Sequence, residues 1–162
     1  VGISCAWAGV LLDSIDGKLA RLRLHLSEKM GAIEHITAAP GLALWYAAFG
    51  WHLSNLDSAR ADEVLYWTGI GIAAFLLDKV VSGSFKKLFG KEIFDFSAGD
   101  ARFHLFAARR NITLLLLTIG ALTGEPGIAF QVAVAWMVLT FSYHLLRFAR
   151  VARGARSAGQ GC

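Results

Sequence analysis

Asp13 and Asp16 stand three residues apart in the run LLDSIDGKLAR, followed by Gly17, Ala20 and Arg21. On a helix these five positions fall within an arc of about 140°. Two carboxylates one turn apart on one face offer hard oxygen ligands of the kind that suit Mg²⁺ or Mn²⁺. Gly17 and Ala20 carry almost no side chain, so a bulky group can approach the backbone between the acids. Arg21, one turn further on, presents a planar fork of donors that matches phosphate oxygens. Acids, small residues and an arginine on one helical face read as a metal–diphosphate site.

The elements that must position such a site are apolar helices. The chain has 162 residues, of which 56% are hydrophobic and 17% charged, and its mean hydropathy is +0.52. That is too apolar for an ordinary soluble domain. The charges cluster between long apolar runs, which is the membrane pattern. The opening VGISCAWAGVLL stays apolar or small up to Asp13; as helix it covers about 18 Å of a hydrocarbon layer about 30 Å thick. The chain is therefore expected to begin inside a transmembrane helix, and no signal peptide with a basic start and cleavage site is visible. Four further apolar segments, 32–53, 63–83, 103–123 and 127–148, have the length that spans a bilayer. Pro40, near the start of the first of these, can bend it within a bundle. The period-2 alternation of a membrane barrel is absent. The expected fold is an all-α, polytopic membrane helix bundle with five transmembrane helices visible, forming a single domain over residues 1–162.

Basic residues set the expected orientation. Lys18, Arg21, Arg23 and Lys29 follow the first helix. Lys86, Lys87, Lys91, Arg102, Arg109 and Arg110 lie between the third and fourth, and Arg147, Arg150, Arg153 and Arg156 in the tail. The two remaining connections, SNLDSARAD and TGEPG, carry only Arg60. Alternate loops are thus basic, and the positive-inside rule puts the acids of the first stretch at the cytoplasmic surface. The expected location is an integral, multi-pass position in a bacterial cytoplasmic membrane, with the active site facing the cytoplasm. Trp45, Tyr46, Trp51, Tyr66 and Trp67 are expected toward the opposite side, as an interfacial aromatic belt. A net charge of +4 reflects bases that flank membrane helices and attract anionic headgroups, and no nucleic-acid motif accompanies it. Cys5 and Cys162 form neither a metal spacing nor a disulfide framework.

The run DSIDGKLAR matches Asp-x2-Asp-Gly-x2-Ala-Arg at every fixed position. In this it resembles the first half of the signature of the CDP-alcohol phosphotransferase (CDP-alcohol phosphatidyltransferase) family. AGDARFHLFAARRN also resembles the short Asp-x-Arg segment that many members carry before their fifth helix. The likeness implies a six-helix bundle, here without its first helix and part of its second. It implies transfer of a substituted phosphate from a CDP-linked donor, such as CDP-diacylglycerol, to an alcohol. In that reaction the alcohol attacks the lipid-bearing β-phosphoryl group and CMP leaves. By resemblance, Asp13, Asp16 and a third acid would hold Mg²⁺ or Mn²⁺. Gly17, Ala20 and Arg21 would line the CDP diphosphate. The partners implied are the lipid donor, a small alcohol acceptor and membrane lipids, with a homodimer common in the family. The stretch GALTG at 120–124 offers a weak small-xxx-small contact for one.

The second half of the signature departs from the family pattern. Counted without gaps, its glycine falls on Met30, its third Asp on Glu34 and its fourth on Ala38. One inserted residue restores Gly31 but puts His35 and Ala39 at the last two positions. The ungapped count keeps a carboxylate, Glu34, where a metal ligand is expected. In either count the family's general base is an alanine. His35 could replace it, being poised near neutral pH; it could equally be a hydrogen-bonding residue of the bundle. Alternatively the metal and arginines suffice with a preactivated acceptor, or the chain binds CDP-lipid without turnover.

Asp100 and Arg102 lie in the connection ahead of the 103–123 segment. They could hold a polar acceptor headgroup or form an interfacial ion pair. Arg109 and Arg110 could contact phosphate or anchor topology. Asp78 and Lys79 lie near enough to the interface to snorkel. His25, His104 and His144 have no metal-ligand spacing, and no zinc-protease, nucleophile-elbow or P-loop motif occurs. A transporter would place its acids near the bilayer midplane in broken helices, whereas these cluster at one interface.

Overall fold

Inside a bilayer an apolar run can satisfy its backbone only by closing its own hydrogen bonds, and every regular element among the described residues is helical. The computed structural model describes residues 2–23, 28–107 and 110–159, except for the side chains at 13, 16–18, 20–23, 28–38 and 155–159. The helices are α1 (Gly2–Arg23), α2 (Glu28–Leu56), α3 (Ala61–Phe89), α4 (Ala98–Phe106), α5 (Arg110–Thr123) and α6 (Pro126–Gly159). Three stretches are long and apolar enough to cross a membrane: Ser58–Phe89, Ala98–Thr123 and Pro126–Gly154. Gly2–Leu12 is a shorter apolar helix. α1 continues past its apolar turns to Arg23, so the backbone of the acidic stretch is helical. α2 runs through Pro40 without ending.

Turn chemistry sets the helix ends. Asp57 Oδ1 accepts the N–H of Ala59 at 3.1 Å and turns the chain from α2 into α3 through the 3-10 turn Ser58–Arg60. Gly90, at φ +67°, closes α3, and its N–H donates to the carbonyl of Lys86 at 2.9 Å. Gly124, at φ +80°, precedes Pro126 at the first position of α6, where the missing N–H is no loss.

Side-chain contacts fix the helix directions. Gly50 lies against Thr68, and the Tyr46 and Phe75 rings are 6.0 Å apart, so α2 and α3 are antiparallel. Gln131 donates to Glu63 at 2.9 Å, Gly71 faces Val134, and Phe85 meets Phe148 at 5.8 Å, so α3 and α6 run parallel. The tight connection at 124–125 makes α5 antiparallel to α6. The indole of Trp7 on α1 donates to Thr118 Oγ1 on α5 at 3.0 Å.

The core gathers Tyr46, Leu53, Phe75, Leu117, Phe130 and Val134. Small residues let the backbones close around it. A Cβ on Gly50 would collide with the Thr68 side chain, and one on Gly120 with the Cβ of Ala129. Buried Thr68 and partly buried Thr118 return their hydroxyls to their own helices, at 2.7 Å to the carbonyls of Val64 and Leu114. The outside is apolar: Leu122 is 83% exposed, Leu44 70% and Leu88 67%. Small residues at the closest helix contacts and an aliphatic exterior are compatible with a lipid-facing bundle.

Several expectations change. The segment 103–123 is not one helix: Ala107 adopts ψ 160°, so residues up to Phe106 belong to α4. α5 alone has 14 residues, about 21 Å of helix. The break arises because α4 is held on α6 by its own contacts. The Phe103 and Tyr143 rings stack at 3.9 Å, and the Trp136 indole takes the freed carbonyl of Phe106 at 2.7 Å. The aromatic belt is also incomplete. Trp51 and Tyr66 are exposed, but Tyr46 is 3% exposed in the core and Trp45 stacks on Phe49 at 5.6 Å. Gly120 packs against Ala129 within the α5–α6 hairpin.

The two ends of the bundle differ in charge. The end with the 57–60 and 124–125 connections carries Arg60. The other gathers Lys86, Lys87, Lys91, Arg102, Arg147 and Arg150 from α3, α4, α6 and the α3–α4 connection.

Candidate functional site

α2 begins at the basic end, since it runs antiparallel to α3. The last residue of α1, Arg23, precedes the first of α2, Glu28, by five residues, a reach of at most about 18 Å. The C-terminal turns of α1, with Asp13, Asp16, Gly17, Ala20 and Arg21, are thereby tied to the basic end. So is the first half of α2, with Glu34 and His35. Asp13 and Asp16 are one helical turn apart on α1, a spacing that brings side chains to one face. The side chains of all seven residues lie outside the described ones, as do Arg109 and His25. Among the described residues no three His, Cys, Asp or Glu side chains converge as a metal group.

The described part of this end is organised by Asp100. Ser97 caps α4: its Oγ accepts the Asp100 N–H at 3.1 Å and donates to Asp100 Oδ2 at 2.8 Å. The Tyr143 hydroxyl donates to Oδ1 at 2.7 Å. Arg147 donates from Nε to Oδ2 at 2.8 Å, and its Nη2 lies 2.6 Å from the same oxygen. Asp100 is 3% exposed and Arg147 24%. A carboxylate this buried is stable only when each oxygen is met by a donor, as here. Tyr143 and Arg147 are four apart on α6, one above the other, so a single helix face clamps the short helix.

Beside this cluster His144 Nδ1 lies 2.6 Å from Asp78 Oδ1 and joins α6 to α3. Asp78 therefore turns inward to a partner instead of snorkelling. Lys79 lies over the Phe75 ring at 5.5 Å. His104 stacks on Phe94 at 4.0 Å.

The structure does not bring Asp100 and Arg102 together. Two positions apart on a helix, their side chains diverge by about 200°, and Arg102 is exposed. Arg110, at the start of α5, is exposed as well. Sequence reasoning missed Tyr143, His144 and Arg147 as members of the site. The signal was the Tyr-His-x-x-Arg run on an amphipathic stretch. Arg147 read there only as a topology-setting base, because its partner is 47 residues away.

No protein-family model, curated protein or solved structure matches the chain.

Proposed function

We propose that this chain is the catalytic bundle of a multi-pass enzyme of the CDP-alcohol phosphotransferase type. It would transfer a substituted phosphate from a CDP-activated donor such as CDP-diacylglycerol to an alcohol, releasing CMP, in phospholipid synthesis. The observation that carries the reading is the run Asp13-Ser-Ile-Asp-Gly-Lys-Leu-Ala-Arg21, which matches the first half of that family's signature and lies in one unbroken helix. Further support comes from charge: the end to which α1 and α2 are tied is also the end that gathers the bases. In this reading the apolar turns of α1 together with α2, α3, α5 and α6 make five membrane spans. The basic end faces the cytoplasm of a bacterial cell, where CDP-linked donors are made.

Asp13, Asp16 and Glu34 would hold Mg²⁺ or Mn²⁺, which would neutralise diphosphate charge. Gly17 and Ala20 leave room for the diphosphate against α1, and Arg21 donates to its oxygens. The acceptor hydroxyl attacks the β-phosphorus. The bond from that phosphorus to the bridging oxygen breaks, CMP leaves with the electron pair, and the hydroxyl proton passes to His35, next to Glu34 on α2. Asp100 orders α4 through Tyr143 and Arg147, and Arg102 is left to meet the acceptor's polar groups.

Ala38 and Ala39 favour a second reading, a bundle that binds CDP-lipid without turnover, because the family's general base has no counterpart at either position. CMP release from CDP-diacylglycerol by the full-length protein, with Mg²⁺ and a panel of alcohols, separates the two. The enzyme reading expects release with one alcohol, reduced about a hundredfold or more in Asp16→Ala. Mg²⁺-dependent retention of CDP-diacylglycerol without release supports the binding reading. Neither release nor retention rejects both.

A further inference from the structure

We draw no further inference here: the strongest candidate, the side-chain pair Asp78–His144 between α3 and α6, is the interhelical contact already described, and nothing among the described residues shows what substrate or ligand it would meet.

Discussion

Asp100 shows how one buried carboxylate can order a short helix. Its two oxygens take donors from Ser97, Tyr143 and Arg147, all within 2.8 Å. Asp100→Ala leaves the Tyr143 hydroxyl and the Arg147 guanidinium facing an apolar methyl. Arg147 is 24% exposed and recovers some hydration, so the expected loss is about 2–3 kcal/mol, below that of a fully buried pair. Unfolding in mixed micelles, titrated with dodecyl sulfate, measures it. Arg147→Ala is expected to cost at least as much, because the carboxylate left behind has almost no access to water. A loss under about 0.5 kcal/mol in both variants would mean that the cluster does not hold α4. The sequence points to Asp100 through an Asp-x-Arg spacing but suggests the wrong arginine. A spacing of two on a helix separates side chains, whereas the true partner depends on how α6 passes α4.

At the scale of elements, glycines decide where helices touch. Gly120 lets α5 close on Ala129 of α6, and the hairpin is sealed by the Glu125 N–H donating to the Gly120 carbonyl at 2.8 Å. Gly69 on α3 is exposed, and a Cβ there would meet nothing within 4 Å. Gly120→Ala is therefore expected to destabilise by about 1–3 kcal/mol through overpacking. Gly69→Ala is expected to be neutral or stabilising by up to about 1 kcal/mol, because alanine is the better helix former. The same micelle titration compares them, and equal effects would reject the close α5–α6 approach. Element existence was legible in the apolar runs. The break at Ala107 was not, because nothing in FHLFAARRN marks it locally. It follows from α4 docking on α6 and from an indole 30 residues downstream accepting the task of satisfying Phe106.

For the whole molecule, parallel α3 and α6 with antiparallel α2 and α5 place Lys86, Lys87, Lys91, Arg102, Arg147 and Arg150 at one end and Arg60 at the other. Cysteines at Ser58 and Lys91 are therefore expected to react with a membrane-impermeant maleimide from opposite sides of the membrane, with Cys5 and Cys162 replaced by Ser beforehand. Labelling of both from one side would reject the bundle's alternation across a bilayer. Orientation follows from the same assay in sealed inverted vesicles, where Lys91→Cys should be the reactive position if the basic end is cytoplasmic.

The sequence by itself determined that the chain is all-helical, that its helices are apolar enough for a membrane, and that Asp13, Asp16, Gly17, Ala20 and Arg21 share one helical face. These properties are set by local period and composition, which need no partner. Only the tertiary structure decided that Asp100 belongs to Arg147 and Tyr143, that Asp78 turns to His144, that Tyr46 is core and not belt, and that Gly120 serves the chain's own hairpin. Each of these depends on which helices become neighbours. That choice is made by close-packing of small and aromatic side chains between segments far apart in the chain, and short-range spacing carries no record of it.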